Sequence, residues 1–288
     1  MAEIKRRYFL KMLATGCLIG GVTPEVYGML LRQKQASSNG TQRLDDHIKD
    51  YLYKMHHCDY PHADDLFLDP QTFRVLETAV HRLKRLQRLV GHGNFQLLNL
   101  DSSLKIARKY PEVDAFTKAE LDFLERIFYQ DAWLYGFQGQ KPLKDLTHRI
   151  KKRNVVKIPG TGNYLYKGVP LKTYCKIREE VGQKAILTSG VRGIMKQFIL
   201  FLNKAYANRG NLSLASRSLA PPGFSFHGVG DFDMGQLGLG SDNFTERFAT
   251  TGVFRKLQDL GYIRLRYPKD NLLGVRFEPW HIRANPLA

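Results

Sequence analysis

Residues 225–233 read Ser-Phe-His-Gly-Val-Gly-Asp-Phe-Asp, and residues 278–281 read Glu-Pro-Trp-His. These two stretches supply the side chains that commonly bind metal ions, namely His227, Asp231, Asp233, Glu278 and His281. A catalytic zinc site takes three protein ligands and leaves one position for water, with a carboxylate nearby as a general base. The two stretches therefore predict a zinc centre that the rest of the fold supports.

The spacing of these residues separates ligands from base. His227 and Asp233 share one short segment flanked by glycines, and His281 comes 48 residues after Asp233, from a separate element. Glu278 precedes His281 by three residues, close enough to act on a water molecule without being a ligand itself. Because neighbouring strand residues point to opposite faces, we expect a bulge or a strand end at Pro279, which cannot donate to a ladder.

At these residues the chain resembles the VanY-type D-alanyl-D-alanine carboxypeptidases, a family of zinc peptidases. The resemblance covers roughly residues 184–283 and rests on motifs that occur in the family's order. These motifs are Ser189-Gly190-Val191-Arg192, then Ala220-Pro221-Pro222-Gly223, then Ser225-Phe226-His227 with its downstream aspartate, and finally Glu278-Pro279-Trp280-His281. Any one of them alone would be a weak signal.

The resemblance implies a role for each residue. The Zn²⁺ ligands that it implies are His227, Asp233 and His281. Glu278 would take the proton of the attacking water and pass it to the departing amine. Arg192 would act in catalysis and substrate binding, by holding the substrate carboxylate or the developing oxyanion. Ser225 and Trp280 would line the substrate cleft.

The third ligand has two candidates. The spacing from His227 to Asp233 is six residues, one fewer than is usual in the family, and Asp231 is the competitor. Met234-Gly235 follows Asp233, as a hydrophobic residue and a glycine do in the family, and this favours Asp233.

Two classes of function fit these residues. The favoured one is an exported zinc peptidase that trims the D-alanine end of peptidoglycan stem peptides, as a D,D-carboxypeptidase, an L,D-carboxypeptidase or an endopeptidase. The other is a non-catalytic, metal-containing protein that binds the cell wall. Retention of Glu278 argues against the second class, because a purely structural metal site needs no general base.

The net charge and the N-terminal sequence predict where in the cell the protein is located. The net charge is +17, and residues 1–35 account for only +4 of it, so an anionic partner or surface is expected. Residues 5–11 read Lys-Arg-Arg-Tyr-Phe-Leu-Lys and precede an eleven-residue apolar run, which is too short to span a membrane. Residues 1–30 therefore resemble a twin-arginine signal peptide. This predicts export by the twin-arginine machinery to the periplasm or beyond, a mature form without a membrane span, and an anionic cell-envelope surface rather than nucleic acid as partner.

The remaining pattern predicts an α+β fold. With 43% hydrophobic residues, the chain can bury one substantial core or two smaller ones. We expect a helical region over residues 42–150 and a zinc peptidase domain over residues 154–288, with a small mixed or antiparallel sheet and packed helices. Asp69 is predicted to cap one helix, and Thr117 with Glu120 to open a second that ends near Gly136. Residues 263–267 and 275–278 are predicted to be the closing strands.

A second group of metal-binding residue types lies near the start of the helical region. It consists of His56, His57, Cys58, His62, Asp64 and Asp65, but the spacing matches no closed tetrahedral pattern, and a polar helix end is the favoured interpretation. Cys58 and Cys175 remain open as a disulfide or as two buried thiols.

Overall fold

The computed structural model describes residues 50–284, and the predicted signal peptide lies outside the described residues. The described part begins with a helical stretch at residues 50–56. Four further helices follow: α1 (Pro70–Val90), α2 (His92–Phe95), α3 (Leu100–Lys109) and α4 (Lys118–Tyr129). None of the helices within residues 50–284 combines the length and the apolar character that a membrane crossing requires.

The predicted helix starts are confirmed. The Asp69 carboxylate accepts hydrogen bonds from the backbone N–H groups of residues 71 and 72, and Pro70 occupies a first-turn position where no donor is needed. Thr117 and Glu120 form the reciprocal capping box. The predicted end near Gly136 is wrong, because α4 stops at Tyr129 and a separate 3-10 turn, Ala132–Tyr135, precedes the glycine.

The second half of the described chain mixes short strands with helices, and the predicted α+β class is confirmed. A hairpin of β1 (Val155–Lys157) and β2 (Tyr164–Tyr166) is followed by α5 (Val169–Glu180), β3 (Ala185–Ser189), α6 (Ile194–Ala207) and α7 (Leu212–Ser218). The chain continues through β4 (Phe232–Gln236) and α8 (Gly252–Asp259) to β5 (His281–Ile282). Strands β3, β4 and β5 form an antiparallel sheet with β4 in the centre.

The two predicted closing strands are wrong. Residues 263–267 and 275–278 are irregular, and the third strand of the sheet is the two-residue β5. A proline directly follows each of the two segments, so a ladder of N–H donors cannot continue beyond them. They are fixed by single contacts instead, such as the Glu278 N–H that donates to the Tyr267 carbonyl oxygen at 3.2 Å.

Two large apolar clusters hold these elements together. One packs α1 and α4 against α6 and α7, and the other packs α5 and α8 against the three-stranded sheet. In the first cluster Leu76, Leu83 and Leu124 are fully buried together with Phe198 and Phe201. The predicted helical region therefore shares a core with α6. The boundaries 42–150 and 154–288 stay a prediction.

The second group of metal-binding residue types, at residues 56–65, includes a side chain with a structural role. The side chain of Asp65 is buried and forms an ion pair with Arg217 of α7. Among residues 50–284, the cluster with metal-ligand geometry lies elsewhere, at the sheet. Cys58 is half-buried, Cys175 is exposed, and both thiols are free, so neither the disulfide nor the two buried thiols is seen.

Candidate metal centre and substrate cleft

Strand pairing brings the predicted metal ligands together. Asp233 on the central strand β4 is the cross-strand partner of His281 on β5. His227 lies in a 3-10 turn, Phe226–Gly228, that leads back to β4 through Gly230, whose φ of 132° suits a glycine. The ligand atoms of His227, Asp233 and His281 all lie within 4.8 Å of one another, and the three side chains are buried.

The hydrogen bonds of His227 favour a cation at this point. Its Nδ1–H donates to the Gly190 carbonyl oxygen at 2.7 Å, so Nε2 presents a lone pair. His227 Nε2 lies 3.1 Å from Asp233 Oδ1, and that oxygen is also a hydrogen-bond acceptor. Burial and the Arg192 charge lower the pKa of His227, which favours the neutral form of the ring. Two acceptors that face each other in a buried site fit a cation between them.

His281 stands between the two candidate aspartates. Its Nδ1 lies 3.2 Å from Asp233 Oδ1, while Nε2 lies 3.0 Å from Asp231 Oδ2 on the other side of the ring. Burial alone would lower the pKa of His281, but hydrogen bonds to Asp231 and Asp233 raise it to about 9. A carboxylate on the far nitrogen is the usual outer partner of a metal-binding histidine.

Asp231 is held by groups outside the candidate metal centre. Arg266 Nε donates to its Oδ2 at 2.9 Å, and the backbone N–H of Ala284 donates to Oδ1 at 3.1 Å. Burial alone would raise the pKa of Asp231, but the hydrogen bond from His281 and the Arg266 charge lower it. Asp231 is therefore an ionised carboxylate whose oxygens are already engaged.

Glu278 lies at the edge of this cluster, in the turn that precedes β5. The expected bulge or strand end at Pro279 is not seen, because residues 275–278 form no strand; Pro279 and Trp280 lie in a turn, and β5 begins at His281. Glu278 Oε2 is 3.9 Å from His281 Nδ1, and its side chain keeps 13% of its surface exposed. Burial, with a smaller contribution from the Asp233 charge, raises the pKa of Glu278 to about 7. A carboxylate with a raised pKa can both accept and release a proton near neutral pH.

Arg192 connects the predicted cleft to the ligands. It follows the end of β3, where its Nε donates to Ser189 Oγ at 2.9 Å and its Nη2 donates to Asp233 Oδ2. These contacts place a guanidinium beside the candidate metal ligand. Burial alone would raise the pKa of Asp233, but the neighbouring His227 and Arg192 hold it well below its usual range.

Two cavities meet at Arg192 and Glu278, and the predicted cleft residues divide between them. Ser225 lines a cavity of about 20 Å³ together with His227 and His281. Trp280 lines a cavity of about 310 Å³ on the side of Asp233. The first has room for about one water molecule, and the second for a residue-sized group.

Sequence reasoning missed three residues at this site. Gln197, which is buried on α6, donates to the Arg192 carbonyl oxygen and accepts from the Gly223 N–H, both at 2.8 Å. The sequence signal for Gln197 was that this polar residue shares the helical spacing of the buried apolar residues of α6. Arg266 was assigned to a strand, and Lys196, which lines the larger cavity, was not singled out.

Comparison with known proteins finds a family that is similar to part of the chain. Residues 170–286 match the family described as VanY: D-alanyl-D-alanine carboxypeptidase. The matched segment contains all of the predicted ligands, the predicted base and Arg192. None of the curated proteins compared with the chain matches it.

Three solved structures are similar to part of the chain. A variant of the vancomycin resistance D,D-pentapeptidase VanY from a VanB-type cassette, in complex with Zn(II), is 25% identical, with a TM-score of 0.37, and the alignment covers 52% of this chain and 88% of that one. VanYB in complex with D-alanine-D-alanine is 25% identical over 53% and 86% of the two chains, with a TM-score of 0.37. The LdcB LD-carboxypeptidase is 23% identical over 52% and 70%, with a TM-score of 0.35.

Proposed function

We propose that this protein is a zinc-dependent peptidase of the D-alanyl-D-alanine carboxypeptidase type that acts on peptidoglycan stem peptides. The observation that carries the proposal is the convergence of His227, Asp233 and His281 beside Glu278, within the segment that matches the VanY family. Two imidazoles and one carboxylate are a donor set that suits a catalytic zinc with an open position.

The side chains divide the chemistry among them. His227 Nε2, His281 Nδ1 and an oxygen of Asp233 would hold the ion. When bound, zinc acidifies water and polarises a carbonyl group. Glu278 takes a proton from the attacking water as the C–O bond forms, and then delivers it to the nitrogen of the departing amine as the C–N bond breaks. Arg192 holds the charge that develops on the carbonyl oxygen, or the substrate carboxylate.

Asp233 rather than Asp231 is proposed as the third ligand. Asp233 Oδ1 faces both His227 Nε2 and His281 Nδ1, whereas Asp231 faces the opposite nitrogen of His281. In this assignment Asp231 and Arg266 orient His281 from outside the metal shell.

We further propose export through the twin-arginine machinery and a place at the anionic cell envelope. The support is the sequence of residues 5–11, which lies outside the described residues, and the +17 net charge. Part of that charge lies on an exposed run next to β1, formed by Arg149, Lys151, Lys152 and Arg153.

The decisive experiment incubates the purified mature protein with defined muropeptides, with and without a chelator, and identifies products by mass spectrometry. We expect the release of terminal D-alanine from pentapeptide stems, its loss with the chelator, and its recovery when zinc is restored. Bound zinc without turnover would overturn the proposal and support the non-catalytic wall-binding alternative. Release of D-alanine from tetrapeptide stems only would identify an L,D-carboxypeptidase.

A further inference from the structure

The cavity of about 310 Å³ next to Glu278 contains polar groups that the mechanism above does not use. Asp233, Glu278 and Arg192 line it on the side of the metal centre. On its other walls lie Thr188 of β3, Lys196 and Leu200 of α6, Ser218 of α7, and Arg276. The cavity is therefore continuous with the reacting groups and large enough for an amino-acid residue of a substrate.

Several of these polar groups lack a partner within the protein. Six buried side-chain nitrogen or oxygen atoms of residues 50–284 make no hydrogen bond, and three of them belong to residues that line this cavity. These three atoms are Thr188 Oγ1, Ser218 Oγ and Arg276 Nε. Because a buried polar atom without a partner costs about 1–3 kcal/mol, such atoms concentrated on one cavity favour a polar ligand there.

Lys196 adds a positive charge to the same wall. Its Nζ forms no hydrogen bond or ion pair with any residue in the range 50–284 that the structure describes. Burial and the nearby Arg192 charge lower the pKa of Lys196 to about 8. Another lysine of α6, Lys204, shows the contrasting case, since it pairs with Asp59 at 3.0 Å.

The balance of charge in the cavity favours an anionic group. The cations that line it are Arg192, Lys196 and Arg276, and the anions are Asp233 and Glu278. Asp233 is already engaged by Arg192 and by both histidines. Glu278 is the proposed base, which leaves Lys196 and Arg276 without an anion of their own.

We infer that this cavity is a carboxylate subsite in which Lys196, together with Arg276, binds a carboxylate of the peptide substrate. The inference rests on the proposed function and adds a specificity-determining residue to it. A carboxylate is the anionic group that a peptide offers, and the hydroxyl groups of Thr188 and Ser218 can complete its hydrogen bonds. The carboxylate belongs either to the C-terminus of the peptide or to an acidic side chain, and the peptides used in the test distinguish the two.

The test measures peptide binding by calorimetry to the zinc-free full-length mature protein. Three peptides with the same sequence, each ending in D-alanyl-D-alanine, carry either both free carboxylates, a C-terminal amide, or an amidated acidic side chain. For the parent protein we expect one amide to bind about 10- to 100-fold more weakly than the free acid, as befits a lost charge-assisted hydrogen bond. That amide identifies the recognised carboxylate.

Lys196→Met keeps the length of the side chain and removes its charge. We expect Lys196→Met to bind all three peptides as weakly as the parent protein binds that amide. Lys196→Arg keeps the positive charge and should still bind the free acid more tightly than the amide. Lys204→Met, on the same helix but outside the cavity, should behave as the parent does. In the zinc-loaded enzyme, Lys196→Met should raise KM for the recognised peptide about 10-fold or more and change kcat much less.

Either of two outcomes would overturn the subsite. In the first, Lys196→Met retains the parent's preference for the free acid over the amide; in the second, it weakens the binding of all three peptides by an equal factor. A parent enzyme that binds the peptides but never cleaves them would contradict the proposed function alone. If the parent enzyme cleaves the peptides but its preference for the free acid does not depend on Lys196, the result would contradict the subsite alone.

Discussion

At the scale of the residue, Glu278 and His281 lie only three positions apart but have different proposed roles. His281 faces Asp233 with one ring nitrogen, whereas Glu278 Oε2 remains 3.9 Å from the ring at the partly exposed edge of the cluster. A ligand and a base respond differently to substitution, because only the ligand contributes to holding the metal.

Glu278→Gln should therefore separate metal binding from turnover. The substitution preserves volume but removes the proton-accepting group, so zinc content should stay near stoichiometric while turnover falls by ~10²–10⁴. His281→Ala is the matched control and should lose both zinc and activity. Metal analysis and the muropeptide assay provide the two readouts. Parent-like cleavage by a zinc-loaded Glu278→Gln enzyme would show that Glu278 is not the base.

Alanine variants of Asp231 and Asp233 should differ in how much zinc they retain. Asp233→Ala removes an oxygen that faces both histidines, so zinc should be lost on dialysis. Asp231→Ala leaves the three proposed ligands in place and removes the partner of the outer nitrogen of His281, so zinc affinity should fall by about 10–100-fold, the range typical of outer-shell groups. Competition with a chromogenic chelator ranks the two variants. The reverse order would assign the ligand role to Asp231.

At the scale of the element, the end of β3 fixes both Arg192 and His227. The Gly190 carbonyl oxygen accepts from His227 Nδ1, and the next N–H, of Val191, donates to the Tyr164 carbonyl oxygen of β2 at 2.8 Å. A β-carbon at position 190 would lie 2.1 Å from that Tyr164 oxygen. The close approach of β2 to the end of β3 therefore requires glycine at this position.

Gly190→Ala should disturb stability and metal binding together. Relief of the clash displaces backbone on both strands, and we expect a loss of at least ~1–3 kcal/mol in the free energy of unfolding, with weaker zinc binding through His227. Gly252→Ala, at the first position of α8 with nothing within 4 Å of the added carbon, should change stability by less than ~1 kcal/mol. Urea denaturation compares the two. Equal midpoints would contradict a required glycine.

At the scale of the whole molecule, a buried ion pair ties the start of the described chain to α7. Arg217 donates two hydrogen bonds to Asp65, of 2.6 and 2.9 Å, and both side chains are at most 5% exposed. Burial alone would raise the pKa of Asp65, but hydrogen bonds from Arg217 and Asn211 lower it. A carboxyl group with a lowered folded-state pKa contributes stability above its unfolded value, and that contribution is lost as the pH falls through the folded-state pKa.

Asp65→Asn should consequently destabilise the protein in a pH-dependent way. Near pH 7 the loss should be about 3–5 kcal/mol, because Arg217 stays buried without its anion. The difference from the parent should shrink as the pH falls from the ordinary aspartate value of 3.8 through the lower folded-state pKa of Asp65, where the parent side chain loses its charge too. Unfolding measured across this range gives the slope, and Asp64→Asn, at an exposed neighbour, is the control. A difference that does not vary with pH would exclude the ionised pair as its origin.

Export is a property of the full chain and has its own test. Replacement of Arg6 and Arg7 by lysine keeps the charge of the N-terminal region but removes the pair that the twin-arginine receptor recognises. We expect precursor to accumulate in the cytoplasm, as seen by cell fractionation and immunoblotting. An unchanged yield outside the cytoplasm would refute the twin-arginine route and leave the zinc chemistry untouched.

The sequence by itself determined the features that depend on residue type and local order. The ligand and base candidates were found because imidazole and carboxylate groups at ordered motifs carry their chemistry wherever the fold places them. The helix starts at Asp69 and Thr117 were predictable because capping is a bond between residues two or three positions apart.

Only the tertiary structure decided which nitrogen of His281 faces each aspartate, because strand pairing joins residues 48 positions apart. It also showed that Gln197 supports Arg192, and that Lys196 and Arg276 meet on one cavity wall. The alternation of apolar and charged residues over 263–267 led to a wrong strand prediction. The orientation of Arg266 is set by its ion pair with Asp231 and not by strand pairing. Contacts of this kind depend on distances between remote elements, which the order of residues does not specify.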